Sequence, residues 1–269
     1  MKRFREKTVV ISGASSGIGA VIAQRFADEG ADLALFAHPR DEGDLKSLQK
    51  RLSEQGNRVL VSSGDVSISA DVERFIAEAV KAYGHIDIVI NNAGYGYFEN
   101  FLNVTEERWD RIIAVNLKGA FLVGQFAAKA MTSGGVIIYT ASTNAFLGDE
   151  SMCSYNVAKA GVVALTRTMA LDLAGLGIRV VAVAPGMVHT RLTEGMLNNE
   201  SLWNKYKTRI PLDRMAEPEE IAGLYLFLAS EDASYLTGEC ITVDGGMTAG
   251  IRWSGWMAGE TWQAVQKKM

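Results

Sequence analysis

The sequence contains few of the residues that cross-link a chain or bind metal. Its 269 residues include two cysteines, Cys153 and Cys240, and three histidines. Two cysteines that are far apart give neither a disulfide framework nor metal-ligand spacing, so we expect a reducing compartment and no metal site. Proline is scarce too, with four residues, and no linker-like run divides the chain. The sequence therefore predicts a single domain over 1–269.

Charge of one sign is not in excess either. Lys and Arg total 27 against 31 Asp and Glu, which gives a formal net charge of -4. That balance does not favour nucleic acid or an anionic membrane as a partner. The apolar stretch after the charged segment 1–7 is too short for a signal peptide, and no later run resembles a membrane span. We expect a cytoplasmic protein that acts on a small molecule.

Apolar, β-branched runs alternate with helix-length stretches along the chain. The predicted strands are 8–12, 32–36, 58–62, 86–90, 135–140, 178–184 and 240–243. The predicted helices include 18–29, 45–55, 70–83, 106–131 and 154–174. Strands that are apolar throughout and separated by helices indicate an α/β fold with a parallel sheet covered on both faces. Segment 187–214 interrupts the alternation and is predicted to be a lid over a ligand site.

A glycine-rich turn follows the first predicted strand. Gly13, Gly17 and Gly19 are spaced as G-x-x-x-G-x-G. Such a turn bends tightly, lets the backbone approach a pyrophosphate and directs a helix N-terminus at the anion. The spacing differs from the common G-x-G-x-x-G dinucleotide fingerprint. It nevertheless predicts a dinucleotide site.

Tyr155 and Lys159 are four residues apart on a predicted helix, so their side chains lie on one face. The pKa of a free tyrosine is near ~10, and a neighbouring ammonium favours the phenolate. We therefore expect Lys159 to lower the pKa of Tyr155. A tyrosine whose pKa is lowered in this way could act as a general acid or base.

Together these motifs resemble the short-chain dehydrogenase/reductase family, classical type. The likeness runs from about 7 to 248 and includes Asn91-Asn92-Ala93-Gly94, Asn116, Ser142 and Pro185-Gly186. It implies a single-domain Rossmann fold, with a doubly wound parallel sheet of about seven strands in the order 3-2-1-4-5-6-7. It also implies an NAD(P)-dependent oxidoreductase that interconverts a secondary alcohol and a ketone.

The resemblance assigns catalytic roles to Asn116, Ser142, Tyr155 and Lys159. Tyr155 would exchange the proton while the nicotinamide exchanges the hydride, and Ser142 would hold the substrate oxygen. Lys159 would also hold the nicotinamide ribose. Asn116 would bend its helix and complete a proton relay through water.

The resemblance also implies cofactor contacts along most of the chain. These residues are Gly13, Ser15, Ser16, Gly17, Ile18, Gly19, Asp65, Val66, Asn92, Ala93, Gly94, Tyr155, Lys159, Pro185, Gly186, Val188 and Thr190. Asp65 would bond the adenine amino group. After the second strand, Ala37 replaces the acid of NAD-preferring members, and His38 and Arg40 could face a 2′-phosphate. We therefore expect NADP, or use of both cofactors, although Ser16 stands where NADP members often have a basic residue.

The family positions that would contact substrate mix aromatic side chains with amides and acids. They are Tyr97, Asn144, Asp149, Glu150 and Trp203. These groups suit the hydroxyls of a sugar or polyol, although the acids could instead face solvent.

Two other functions remain open. A 3-oxoacyl-(acyl-carrier-protein) reductase would share the catalytic motifs, but it usually has basic residues before the fifth strand, where this chain has only Lys129. A non-catalytic dinucleotide-binding scaffold would be expected to have lost Tyr155 or Lys159.

The resemblance further implies a homotetramer, or a dimer, built through the helices 106–131 and 154–174 and the last strand. The tail 247–269 contains Trp253, Trp256 and Trp262. Three tryptophan side chains have more apolar surface than a tail exposed to solvent would be expected to carry. We expect the tail to pack across a subunit interface or on its own subunit.

Overall fold

The computed structural model describes residues 2–197 and 199–250, and in this part the strands form one parallel sheet. Seven strands pair in the order β3-β2-β1-β4-β5-β6-β7. Their bounds are β1 Thr8–Ser12, β2 Asp32–Ala37, β3 Val59–Ser63, β4 Ile88–Asn91, β5 Gly135–Thr140, β6 Ile178–Pro185 and β7 Cys240–Val243. The predicted fold class and strand order are confirmed.

Helices connect the strands and cover both faces of the sheet. Their bounds are α1 Gly17–Asp28, α2 Glu42–Glu54, α3 Ser69–Tyr83, α4 Glu106–Ile113, α5 Gly119–Ala130, α6 Cys153–Leu173, α7 Glu194–Leu197, α8 Glu200–Lys207 and α9 Pro218–Ala229. Short 3₁₀ turns lie at Pro39–Asp41, Phe101–Asn103, Thr143–Ala145, Ala174–Leu176 and Glu231–Ala233.

Two apolar layers hold the sheet, one on each face. Val9 and Ile11 of β1 pack in the layer that contains α1 and α9. Val10, between them, packs in the opposite layer with residues of α3 and α5. Successive strand residues point to opposite faces, and both faces are buried here. The strands therefore contain continuous apolar runs instead of an alternation with polar residues.

The predicted helix 106–131 is bent at a π-helical turn, Ala114–Lys118, which joins α4 to α5. The side-chain amide of Asn116 donates hydrogen bonds to the carbonyls of Ile112 at 3.2 Å and of Tyr95 at 2.9 Å. The Asn116 side chain thus bonds one carbonyl of its own helix and one carbonyl of the loop after β4, at the turn where the helix bends.

Among the described residues, one helical run, Glu106–Ala130, is long and apolar enough to cross a membrane by length and composition. Its best 18-residue window has a mean hydropathy of 1.2, and half of that window is buried in the protein. The run packs on the sheet and on α6. The expectation that no run resembles a membrane span is therefore corrected, because Glu106–Ala130 has the length and composition of one. Its burial against the sheet and α6 is typical of a core helix.

The predicted lid segment, 187–214, leaves the sheet after β6 and contains α7 and α8. Its two ends are joined to each other. Val188 and Ala216 form a parallel bridge, and the amide of His189 donates to the carbonyl of Ala216 at 2.9 Å. The amide of Ala216 donates in turn to the carbonyl of Met187 at 3.0 Å. The tryptophans of the predicted tail lie outside the described residues.

Candidate active site

A cavity of about 530 Å³ opens at the carboxyl ends of β1, β4, β5 and β6. This is the edge where open α/β sheets bind ligands. Its lining includes these predicted residues: Gly13, Ser15, Ser16, Gly17, Ile18, His38, Arg40, Asp65, Val66, Asn92, Ala93, Gly94, Ser142, Tyr155, Lys159, Pro185, Gly186, Val188 and Thr190. Of the predicted cofactor contacts, only Gly19 is missing from this lining within the described part of the chain.

The glycine-rich turn is tightly packed. Gly13 has a φ of +67°, and a Cβ atom there would lie 2.7 Å from the Cα atom of Ala93. A Cβ atom on Gly19 would lie 2.1 Å from the carbonyl oxygen of Gly13. Gly19 therefore acts behind the cavity, where it lets helix α1 approach the turn.

The N-terminus of α1 faces the cavity. Its N-cap residue, Ser16, makes no side-chain capping hydrogen bond within the described residues. The first amide groups of a helix have no intrahelical acceptor, and the helix dipole favours an anion there. These residues fit the pyrophosphate of a dinucleotide.

The residues predicted to take part in proton transfer lie at the other end of the cavity. Ser142 follows β5, and Tyr155 and Lys159 share one face of α6. The Nζ atom of Lys159 lies 5.6 Å from the centroid of the Tyr155 ring and donates a hydrogen bond to the carbonyl of Thr140 at 2.8 Å. The Lys159 side chain is almost completely buried. A hydroxyl, a phenol and an ammonium thus converge on one point.

Burial controls the pKa values of this pair. It raises the pKa of Tyr155 to about 12, against an opposing contact with the Ser142 hydroxyl, and lowers the pKa of Lys159 to about 8. The expected lowering of the Tyr155 pKa by Lys159 is therefore wrong for the protein's own groups, because desolvation favours both neutral forms. At neutral pH, Tyr155 is a protonated phenol that can donate to a carbonyl oxygen.

Asn116 lies directly behind the catalytic end of the cavity. Its Oδ1 atom is buried and accepts no hydrogen bond within the part of the chain that the structure describes. A Cβ atom on Gly94 would lie 2.6 Å from this oxygen and 3.5 Å from the Nζ atom of Lys159. A buried acceptor beside a buried ammonium suits a bound water. The position fits the relay that the sequence predicts.

The cavity contains, beside the predicted adenine contact Asp65, an arginine that the sequence did not indicate. Asp65 accepts hydrogen bonds from the amide of Ser67 at 2.9 Å and its hydroxyl at 2.7 Å, and from Arg111 at 2.8 Å. Burial raises the pKa of Asp65, but these hydrogen bonds outweigh it and keep the pKa below its ordinary value. Arg111 also lines the cavity, 46 residues away along the chain, and no motif or spacing indicates this contact.

The end of the cavity beside β2 holds charges of both signs. His38 and Arg40 line it as predicted, and Arg191 joins them from the lid segment. The Nε atom of Arg40 lies 3.4 Å from the carboxylate of Asp41, and Arg191 lies 3.9 Å from the same residue. Arg191 also pairs with Asp44 at 2.7 Å. The cations that could face a 2′-phosphate are thus partly balanced by carboxylates.

The predicted substrate residues are not found in this cavity. Within the described residues, Tyr97, Asn144, Asp149, Glu150 and Trp203 do not line it. Tyr97 borders a smaller cavity behind Tyr155, Glu150 is exposed, and Trp203 is half-buried on α8. The lining that the sequence did not indicate includes Tyr95, Leu192 and Thr193.

Two of these five residues bind other parts of the protein. The carboxylate of Asp149 accepts hydrogen bonds from Arg209 at 2.7 Å and from the hydroxyl of Tyr206 at 3.2 Å. The side-chain amide of Asn144 donates to Asn156 at 2.8 Å. Their polar atoms are therefore already engaged within the protein.

Comparison with known proteins gives similarity over nearly the whole chain. A family model described as Enoyl-(Acyl carrier protein) reductase matches residues 13–248. L-rhamnose 1-dehydrogenase (NAD(P)(+)) of Sphingomonas sp. (strain SKA58) is 36% identical over 94% of this chain and 100% of its own length. Meso-2,3-butanediol dehydrogenase of Serratia marcescens is 39% identical over 92% of this chain and 96% of its own.

A 3-oxoacyl-[acyl-carrier-protein] reductase of Thermotoga maritima is 38% identical, over 91% of this chain and 99% of its own length. Among solved structures, a short-chain type dehydrogenase/reductase from Mycobacterium marinum superimposes with a TM-score of 0.86 at 37% identity. That superposition covers 92% of this chain and 97% of the other. Sequence and fold therefore agree along the same residues.

Proposed function

The chain belongs to the short-chain dehydrogenase/reductase family, and from this premise we propose that it acts on a small polyhydroxy substrate, of sugar or polyol type, with NADP as its preferred cofactor. The family membership makes it an NAD(P)-dependent oxidoreductase that acts on CH–OH groups. One observation carries the proposal: Ser142, Tyr155 and Lys159 meet at one end of a cavity that begins at the glycine-rich turn.

The residues of this chain divide the proton chemistry among them. When bound, the nicotinamide supplies or accepts the hydride. In reduction, Tyr155 donates its phenolic proton to the carbonyl oxygen, and the Ser142 hydroxyl donates a hydrogen bond to the same oxygen. In oxidation, Tyr155 takes the proton from the alcohol. Lys159, whose pKa is lowered to about 8, can pass a proton onward near neutral pH.

The proposed substrate class is supported by the relatives and by the scarcity of basic residues at the end of α5. Two similar proteins are named for the oxidation of a sugar and of a diol. A carrier-borne substrate would require basic surface for its acidic carrier, and the end of α5 offers Lys129.

The alternative is reduction of a 3-oxoacyl thioester. The family model and one relative are named for acyl-carrier-protein chemistry. The loop after β4 also exposes Phe98, Phe101 and Leu102, and these apolar side chains would suit an acyl chain. The exposed apolar side chains therefore favour 3-oxoacyl reduction as the second candidate function.

A paired assay separates the two functions. The purified protein is incubated with NADP⁺ or NAD⁺ and a panel of sugars, polyols and 3-hydroxyacyl thioesters, and kcat/KM is measured for each pair. We expect the highest values with a polyhydroxy compound and NADP⁺. Activity confined to acyl thioesters would replace the proposed function by the alternative, whereas no turnover on any CH–OH compound would leave a binding protein.

The proposed preference for NADP is supported by the side chains that follow β2. Ala37 provides no carboxylate for the ribose hydroxyls, while His38, Arg40 and Arg191 line the cavity nearby. Asp41 acts against a phosphate at the same place. A kcat/KM with NAD⁺ more than tenfold above that with NADP⁺ would contradict the preference.

We propose a homotetramer, with a dimer as the alternative, in the cytoplasm. Apolar side chains on the helices expected at the interface support the assembly: Phe121 of α5 and Val157 of α6 are both more than 40% exposed, at 42% and 45%. Isolated exposed apolar residues are common, but a pair on adjacent helices suits a helical interface.

A further inference from the structure

A chain of hydrogen bonds extends from the hydroxyl of Ser142 away from the cavity. The Ser142 oxygen accepts a hydrogen bond from the amide of Asn144 at 3.2 Å, and its hydroxyl approaches the Oδ1 atom of Asn144 at 3.4 Å. The side-chain amide of Asn144 then donates to the Oδ1 atom of Asn156 at 2.8 Å. Asn156 follows Tyr155 on α6, so this chain joins the two elements that carry the catalytic hydroxyls.

The chain of hydrogen bonds continues from Asn156 to the lid segment. The side-chain amide of Asn156 donates to the backbone carbonyl of Asp149 at 3.0 Å. The Asp149 carboxylate, 10% exposed, pairs with Arg209 at 2.7 Å and accepts from the Tyr206 hydroxyl at 3.2 Å. Tyr206 belongs to α8, and burial raises its pKa, which keeps the hydroxyl protonated as a donor. Three residues, Asn144, Asn156 and Asp149, thus link Ser142 to Tyr206 and Arg209 of the lid segment, and the link from Asn156 to Asp149 uses the backbone carbonyl of Asp149.

The partners fix the direction of each hydrogen bond. Asn156 must donate to a carbonyl, so its Oδ1 atom is left to accept from Asn144. Asn144 therefore presents its own Oδ1 atom to Ser142. The backbone amide of Asn144 occupies one lone pair of the serine oxygen, and the 3.4 Å contact holds its proton only weakly. The Ser142 hydroxyl also contacts the Tyr155 phenol, so a substrate oxygen competes for that proton with a weak contact to Asn144 and with the phenol.

We propose that Asn144, Asn156 and Asp149 are positioning residues that fix the hydroxyl of Ser142 and couple it to the seating of the lid segment. The inference rests on the proposed role of Ser142. It gives Asn144 and Asp149 a different role from the substrate contacts that the sequence predicts. They act through Ser142 and do not line the cavity themselves.

A double-mutant cycle tests the first link. We expect Asn156→Leu to lower kcat about tenfold, within the range for coupled neighbours, with the KM for the cofactor unchanged. In a Ser142→Ala background, the same substitution should change kcat by less than about twofold, because residues that act as a unit are not additive. If Asn156→Leu lowers kcat by the same factor in the wild type and in the Ser142→Ala variant, its effect is merely structural and the proposal is overturned.

Matched variants control for general damage. Asn103→Leu makes the same replacement at an exposed site, and it should leave kcat unchanged. If the leucine variant does not fold, as judged by circular dichroism, Asn156→Ala repeats the cycle with a smaller side chain. Ser142→Ala alone tests the proposed function: full activity there would refute the role of Ser142 itself, whatever Asn156 does.

The link to the lid segment is tested at Asp149. Asp149→Asn retains the size of the side chain but removes the charge that pairs with Arg209. We expect kcat to fall severalfold, and the fall should disappear in the Ser142→Ala background. Asp172→Asn, on an exposed part of α6, is the control. A loss that persists without the Ser142 hydroxyl would show that the carboxylate acts on the lid alone.

Discussion

At the residue scale, burial shifts the pKa values of the two ionisable side chains of the proposed chemistry toward their neutral forms. Burial raises the pKa of Tyr155 and lowers that of Lys159. Both shifts have one cause, the desolvation of a charge. Desolvation affects both the stability of the fold and the rate of the reaction. Each side chain can therefore be examined by unfolding measurements and by kinetics.

Replacement of Tyr155 by Phe should lower kcat by at least about 10²-fold, the low end for loss of a general acid. The ring and its packing remain, while the proton donor is removed. Steady-state rates and cofactor binding by calorimetry provide the measurement. Retained turnover with unchanged cofactor affinity would contradict the assignment.

The Lys159→Met variant should be more stable than the wild type below pH 8. The folded-state pKa is about 8 and the ordinary value is 10.5, so below pH 8 the folded protein has the full cost of a buried ammonium. Between pH 8 and 10.5 the unfolded chain binds more protons, and wild-type stability rises with pH. We expect a Tm gain of at least about 2 °C at pH 7 that narrows toward pH 10.5.

Scanning calorimetry at several pH values measures this difference. Lys129→Met, at an exposed site, should show no such dependence on pH. A gap in Tm that stays constant from pH 7 to 10.5 would mean that the charge of Lys159 is not the cause. Turnover should be lost in the Lys159 variant at every pH.

Asp41→Asn should strengthen the use of NADP. The carboxylate lies near both Arg40 and Arg191, and removing its charge leaves Arg40 free to face a phosphate, while Arg191 keeps its ion pair with Asp44. We expect the KM for NADP⁺ to fall about twofold to fivefold, the scale of an exposed ion pair, with the KM for NAD⁺ unchanged. An equal change for both cofactors would exclude a 2′-phosphate at this place; Asp172→Asn is the control.

The sequence indicated the cavity residues that lie in local motifs but not the contacts between distant segments. The glycine turn and the pair formed by Tyr155 and Lys159 are set by spacing within one turn or helix. Arg191 meets Asp44 across 147 residues, and only the fold brings them together. The engagement of Asp149 by Arg209 depends in the same way on how the lid segment lies.

At the element scale, the π-helical turn between α4 and α5 is the feature with the clearest energetic signature. Asn116→Leu removes a buried hydrogen bond to the carbonyl of Ile112 and a partly buried one to the carbonyl of Tyr95. We expect the free energy of unfolding to fall by about 1–3 kcal/mol, because each lost hydrogen bond contributes about 0.5–1.5 kcal/mol. Urea denaturation measures it. Gln125→Leu, on α5, is the control, and equal losses in both would refute the account.

Most strands were predictable because burial on both faces makes them continuous apolar runs. The edge strands β3 and β7 are only partly buried. The strand order came from the resemblance, since apolar runs carry no information on which strands are neighbours. The π turn was not visible as such, because its residues, Ala114–Lys118, continue the helical pattern on both sides. Helices α7 and α8 are short and lie in the lid segment, where the alternation gives no guide.

At the scale of the whole molecule, the proposed assembly can be measured directly. Sedimentation equilibrium should give four times the mass of the chain. Val157→Glu, which places a charge on α6, should shift the distribution toward smaller species, because burial of an unpaired charge is costly. Leu176→Glu, at the turn after α6, should not. A wild-type monomer at micromolar concentration would contradict the proposal.

The bridge between Val188 and Ala216 has a consequence for how this protein could acquire new specificity. The bridge joins the two ends of the lid segment. The 27 positions from 189 to 215 therefore form a loop whose ends are held together independently of the sequence between them. The entropy of closing a flexible loop grows slowly, by about 0.6 kcal/mol for each doubling of its length. Segments of other lengths could therefore be grafted between these ends with little cost to the sheet. Evolution could likewise alter the entrance of the site while the proton-transfer residues remain in place.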